Sequence, residues 1–158
     1  MVVQVNPTTI IERYLALIAD PTSDLAVVGD LLDLDMRFIE HPNLFSPRGS
    51  ERDRARMLAT LEQGRQLVRD QRFDVVDHLV AGDNVVSRVV WTGTLATAAP
   101  PFAAGTRLRA DSSMHFALRD GRIARQENYD CFHVQGADDE AEGGTGGTDA
   151  GAEGSGLP

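Results

Sequence analysis

GTRLRADSSMHFALRDGRIARQENYDCF, running from Gly105 to Phe132, is two strand-like stretches folded back on each other at Arg119-Asp120-Gly121-Arg122. On the outgoing stretch the even positions are Leu108, Ala110, Ser112, Met114, Phe116 and Leu118. The odd positions are Arg107, Arg109, Asp111, Ser113 and His115. Alternation with period two marks a long strand whose one face is turned to an apolar interior. The returning stretch carries Gln126, Asn128, Tyr129 and Asp130, more polar than packing requires. Polar side chains on a strand that lines an apolar interior point to a ligand pocket.

Which of those side chains look inward depends on the turn. A two-residue loop at Asp120-Gly121 pairs Arg119 with Arg122 and sets Asp111 opposite Asp130, both facing away from Met114 and Phe116. A three-residue loop ending in a left-handed glycine pairs Leu118 with Arg122. That one-residue change swings Asn128 and Asp130 to the face of Ser112, Met114 and Phe116. Local sequence permits either.

Upstream of the hairpin the periodicity is first helical, then extended. Asn6-Pro7 offers a capping side chain and a first-turn proline, and Ile10, Ile11, Tyr14, Leu17 and Ile18 recur on one helical face. A second short helix is expected over Leu25–Leu32, capped by Ser23 or Asp24. Met36–Glu40 reads as a short strand stopped at His41-Pro42-Asn43. Ser50 is expected to open a third helix reaching about Arg69, with Asp53 completing an imperfect capping box. Strands follow over Gln71–Val80 and Val85–Leu95. Helices first and an antiparallel sheet afterwards make an α+β domain, a cone-shaped curved sheet packed with three N-terminal helices around a central pocket.

The chain has 158 residues, 42% of them hydrophobic, enough for one globular domain over residues 1–135. Residues 136–158 hold eight glycines and six acidic residues and are expected to be a disordered acidic tail. Net charge is −9, and only −3 without that tail. All 15 basic residues are arginine, with no basic stripe, which argues against nucleic acid as a partner. No run approaches the roughly 20 apolar residues of a membrane span. The single cysteine, Cys131, excludes an intrachain disulfide, and a cytoplasmic location is expected. His78 and His133 have no metal-ligand spacing, so neither metal nor cofactor is expected.

Three strings resemble the nuclear-transport-factor-2-like superfamily, and within it the SnoaL-like group, which includes polyketide cyclases and has ketosteroid isomerases and limonene epoxide hydrolases as relatives. Ile11-Glu12-Arg13-Tyr14-Leu15-Ala16-Leu17 is similar to the first-helix string of the isomerases, whose tyrosine donates to a developing oxyanion. Ile39-Glu40-His41-Pro42 is similar to the string that carries their aspartate base, with His41 in its place. Met114-His115-Phe116 is similar to the string that carries their second oxyanion donor. Met114 cannot donate, and losing one such donor costs about 3 kcal/mol of transition-state stabilisation. From the hydrolases, Arg88 and Asp130 match two members of a catalytic trio, but the third falls near Val90. Neither steroid isomerisation nor epoxide hydrolysis fits.

The resemblance implies a homodimer with a pocket. It also implies roles: His41 as base, Asp130 as acid or orienting group, and Tyr14 as donor to an enolate-like oxygen. Arg88 sits inside an apolar strand and is expected to pair with a carboxylate, Asp130 being one candidate. Trp91, Met114, Phe116 and Asn128 are expected as pocket walls and contacts. The reaction expected is a cyclisation, isomerisation or dehydration of an apolar, oxygenated polyketide- or terpenoid-like molecule, driven by proton transfer. A non-catalytic ligand-binding or dimerisation module shares the fold and differs in whether titratable groups converge on the pocket.

Overall fold

The computed structural model describes residues 5–133, so the tail expected over 136–158 lies outside the described residues. The elements are α1 (Pro7–Ala19), α2 (Leu25–Asp30), β1 (Leu32–Glu40), β2 (Ser50–Asp53), α3 (Arg54–Leu67), β3 (Val68–Ala81), β4 (Asn84–Leu95), β5 (Arg107–Arg119) and β6 (Arg122–Phe132). The six strands form one curved, unclosed sheet in the order β2-β1-β6-β5-β4-β3. The α+β class and the helix-packed sheet are as the sequence implies. Among the described residues no helix is long and apolar enough to cross a membrane.

Local chemistry sets the helix starts. Asn6 Oδ1 accepts from the Thr8 amide ahead of Pro7, and Asp24 accepts from Ala26. The face of α1 made by Ile10, Ile11, Tyr14, Leu15 and Ile18 is buried against the sheet. Each such side chain taken fully out of water contributes roughly 1.5–3 kcal/mol. Beyond this apolar contact, α1 is fastened by a buried hydrogen bond in which the Tyr14 hydroxyl donates to Gln126 Oε1 of β6 (2.8 Å).

Three expectations need correction. Helix α2 stops at Asp30, because Leu32 already pairs with Ile123 of β6. Ser50 does not open the third helix: Ser50–Asp53 pairs antiparallel with β1, and Asp53 caps α3 by accepting from Arg56. Charge pairing across these two strands, Arg52 with Glu40 (2.9 Å) and Arg37 with Glu51, explains an edge strand with little to bury. The sheet is not wholly antiparallel either, since β1 runs parallel to β6. Alternation places Leu32, Met36 and Phe38 on the inner face, but says nothing of strand direction. Direction is set in space, where Leu32 enters beside the β5–β6 turn and the chain can only run along β6.

The hairpin combines both readings of the turn. Asp120 and Gly121 have φ of 51° and 73°, and Arg119 pairs with Arg122. That is the two-residue loop with both central residues left-handed. Continued unbroken, it would turn Asp130 outward. Register shifts after Leu118↔Ile123, and the next pair is Ala117↔Arg125, leaving Ala124 as an extra residue. This β-bulge restores the other face: Ser112 lies opposite Asp130, Met114 opposite Asn128 and Phe116 opposite Gln126.

Deleting Ala124 should only close the bulge, but inserting a second alanine after it should exceed what a one-residue bulge absorbs and drive Glu127 and Tyr129 into the interior. A loss of about 4 kcal/mol or more is expected in urea unfolding, from burying an unpaired carboxylate; wild-type stability would refute the bulge's role. Tyr14→Phe should cost about 1–3 kcal/mol by leaving Gln126 Oε1 buried without its donor, again read by urea unfolding.

Candidate functional site

The inner face of the sheet bears a partly open cavity of about 160 Å³ lined by Phe73, Trp91, Ala110, Ser112, Met114, Asn128, Asp130 and Phe132. Its walls come from four strands, and each lining residue sits at an inward position of its ladder. Apolar and aromatic side chains dominate, and the polar groups gather on β5 and β6. This composition is that of a small-molecule site, with a few convergent polar groups in an apolar shell.

Asp130 is the titratable residue of the lining. Burial pushes its carboxyl above the ordinary range, the Ser112 hydrogen bond opposes that, and the charge of nearby Glu40 adds to it. Ser112 Oγ donates to Asp130 Oδ1 at 2.5 Å. Glu40 shares the inner face because its Cα partner is Asn128. Its own carboxylate is well satisfied: Oε2 accepts from Arg52 Nη2 (2.9 Å) and Ser50 Oγ (3.0 Å), and Oε1 from Asn43 Nδ2 (3.2 Å).

Tyr14 stops short of the cavity. Its hydroxyl donates to Gln126, whose Nε2 donates to Asn128 Oδ1 (3.1 Å), so Tyr14 reaches the lining two residues removed. Burial drives the Tyr14 hydroxyl far above its ordinary range, so it stays a neutral donor. Phe116 meets the Tyr14 ring edge-on at 6.3 Å and belongs to the core behind the cavity. Trp91 and Met114 line the cavity. The indole N–H of Trp91 donates to Gln71 Oε1 (3.1 Å), and its ring meets Phe132 edge-on at 5.9 Å.

His41 and Arg88 are placed elsewhere. Glu40 points inward, so the next residue points outward; the His41 amide continues the ladder by donating to Asn128 O (3.0 Å). On the outer face His41 Nε2 donates to Glu127 Oε1 (2.6 Å), and the imidazole stacks on Tyr129 at 4.0 Å and 11°. The hydrogen bond from His41, with a second from Arg125, holds the Glu127 carboxyl down at about 2. His41 and Asp130 therefore lie on opposite sides of β6 and do not share the cavity. Arg88 also faces out, because Val85, Ser87 and Val89 take the buried positions of β4. It forms a two-point pair with Asp77 (2.8 and 2.6 Å), not with Asp130.

Sequence reasoning passed over Glu40, Ser112 and Gln126. Ser112 and Gln126 could have been found from period alone, since they share the phase of Met114 and Asn128. Glu40 carried no such signal, because its neighbour across the sheet is set by the parallel pairing.

The geometry agrees with comparisons to known proteins. IdmH from Streptomyces antibioticus, a proposed polyketide cyclase, superposes with a TM-score of 0.67 at 22% identity, covering 80% of this chain and 92% of that one. A proposed polyketide cyclase from Xanthomonas campestris pv. campestris gives 0.65 at 22% identity, over 78% and 88%. A protein of ketosteroid isomerase-like fold from Catenulispora acidiphila, solved with trimethylamine, gives 0.61 at 16% identity, over 76% and 83%. At such identities these likenesses establish the fold. No curated protein matches the chain significantly. The model of the SnoaL-like domain matches residues 11–126, from within α1 to the middle of β6, with Tyr14 and Gln126 inside the match and Asn128 and Asp130 beyond it, and the chain belongs to the SnoaL-like domain family.

Proposed function

We propose that this protein is a cofactor-independent enzyme of the cyclase, isomerase or dehydratase type. Its substrate is an apolar, oxygenated molecule of polyketide or terpenoid character, and the protein acts as a homodimer. The observation that carries the reading is Asp130: a buried carboxyl with a raised pKa, in an aromatic-walled cavity, bonded to one hydroxyl. A carboxyl shifted toward neutrality exchanges protons at lower cost, and such a group contributes roughly 10²–10⁴ in rate. The family and the fold neighbours, two of them proposed cyclases, favour the same class.

The polar relay supplies the second element. Tyr14 can only donate to Gln126 Oε1 while its hydroxyl stays protonated, which leaves Gln126 Nε2 to donate and Asn128 Oδ1 to accept. Asn128 Nδ2 is then the end of the relay that is free to donate to a ligand oxygen. In this reading Asp130 takes a proton from a carbon beside a carbonyl, Asn128 stabilises the oxygen on which charge grows, and Asp130 returns the proton at a second position. Tyr14 acts as a positioning residue. With His41 on the outer face, Asp130 carries both halves of the transfer.

A non-catalytic binding module is favoured by one observation, that among the described residues Asp130 is the lone titratable group in the lining. Hydrogen–deuterium exchange at the α-carbons of cyclic ketones and enones, followed by proton NMR, separates the two. Asp130→Asn should slow exchange by roughly 10²–10⁴. Stability should move the other way. A raised carboxyl pKa contributes stability below its unfolded value and withdraws it as pH rises through the folded value. At neutral pH Asp130→Asn should therefore be as stable as wild type or more so, while Asn still accepts from Ser112. Equal exchange in wild type and variant would remove Asp130 from any mechanism.

His41→Ala tests the outer face. A depressed carboxyl contributes stability above its unfolded pKa, lost as pH falls toward the folded value near 2. In His41→Ala the Glu127 titration, followed by carbon-13 NMR, should move up toward the ordinary carboxyl range and the stability lost on acidification should shrink. Ketone exchange should persist. Loss of exchange with normal folding would return His41 to the mechanism.

A further inference from the structure

The short strand β2 buries little, yet it brings two polar side chains to the inner face. Ser50 pairs with Glu40 of β1 and Arg52 with Phe38, and Phe38 in turn pairs with Gln126, so these side chains point the same way as the cavity lining. Phe38 is buried, and the Arg52 guanidinium lies over its ring at 5.2 Å. From there Arg52 Nη2 donates to Glu40 Oε2 at 2.9 Å, the two side chains being only 22% and 19% exposed. Ser50 Oγ donates to the same oxygen and Asn43 Nδ2 to the other. Glu40 is thus clamped from β2 and from the segment after β1, in a place where a lone carboxylate would be costly.

The clamp sits beside the pocket acid. Strand β1 ends at Glu40, whose Cα partner on β6 is Asn128. Asp130 is the next inward residue of β6, just beyond the end of β1. Strand rise and spacing place the Glu40 and Asp130 Cα atoms about 8 Å apart on one face. The side chains that share the cavity with Asp130 are uncharged: Ser112 and Met114 from β5, Trp91 from β4, Phe73 from β3 and Asn128 from β6 itself. Tyr14 of α1 reaches only as far as Gln126 and stays neutral. The acids of β5 and β6 nearest to it in sequence and register, Asp111 and Glu127, face outward and are paired with His133 and His41. Among the described residues Glu40 is therefore the charge that bears on Asp130, and it pushes that carboxyl upward. In bulk water a charge at this range counts for little; among mostly buried groups it counts for several times more.

We propose that Glu40, clamped by Arg52, Ser50 and Asn43, is a positioning residue for the pocket acid: its charge, fixed at the end of β1, sets the pH range over which Asp130 gives up its proton, and Arg52 limits how much of that charge Asp130 feels. The inference rests on the reading of Asp130 as the proton-transferring group. It also gives a role to β2, an edge strand with little to bury, which carries the cation and the hydroxyl that keep Glu40 on the inner face.

Carbon-13 NMR of the Asp130 carboxyl follows its titration whether or not any ketone is turned over. In Glu40→Gln the acid constant of Asp130 should increase roughly tenfold, the size expected of losing one like charge at this range. The acid limb of the pH profile of ketone exchange should move to lower pH with it. Arg52→Gln strips the Glu40 carboxylate of its cation, so there the acid constant should fall instead. Arg52→Lys keeps the charge and should titrate near wild type. Glu51→Gln breaks the outward-facing pair with Arg37 on the same two strands and should leave the titration unchanged, which separates the charge of Glu40 from the mere pairing of β1 with β2. Far-UV circular dichroism checks the fold of each variant. Should Glu40→Gln fail to fold, the contrast between Arg52→Gln and Arg52→Lys decides. An unchanged Asp130 titration in the folded variants, or an equal shift in Glu51→Gln, would overturn the proposal. If wild type exchanges no ketone, the chemistry of Asp130 falls, while the titration still decides the role of Glu40.

Discussion

The bulge at Ala124 is the constraint on which the pocket depends. A strand has only two faces, and one residue of register moves every side chain from one to the other. The left-handed pair at Asp120-Gly121 starts β6 in the register that would bury Glu127 and expose Asp130. One unpaired alanine reverses this before Gln126. Three consecutive inward positions, Gln126, Asn128 and Asp130, then meet Phe116, Met114 and Ser112 on β5 and share the inner face with Phe38 and Glu40 of β1. The relay from Tyr14 and the bond from Ser112 both follow from that placement.

The two carboxyls of β6 show what the placement does to chemistry. Glu127, on the outer face, is bonded by His41, Arg125 and Tyr129 and is held well below its ordinary pKa. Asp130, three residues on and inside, meets one hydroxyl and is pushed up by burial. Opposite environments on opposite sides of one strand thus move two carboxyl groups in opposite directions. Glu40 stands between these cases, on the inner face but satisfied by Arg52, Ser50 and Asn43.

Much of the fold was readable because it rests on short-range pattern. The caps at Asn6 and Asp24, the apolar stripe of α1 and the alternation of β5 are local, and they agree with the structure. Ser50–Asp53 misled because Asp53 does cap a helix, and nothing local reveals that the residues before it are claimed by β1. Arg88 misled because its pairing partner, Asp77, lies just past a register shift in β3.

The candidate site divides along the same line. The sequence by itself determined that an apolar-faced hairpin with a polar return strand lines a pocket and that Met114 sits on its apolar face, while it left the direction of Asn128 and Asp130 open between two turns. Composition and periodicity carry that much, since both report which side chains can tolerate burial. Only the tertiary structure decided that His41 faces away, that Glu40 faces in, and that Tyr14 works through Gln126. Those outcomes turn on a parallel pairing and a one-residue bulge, and neither costs enough locally to leave a mark in the residues that make it.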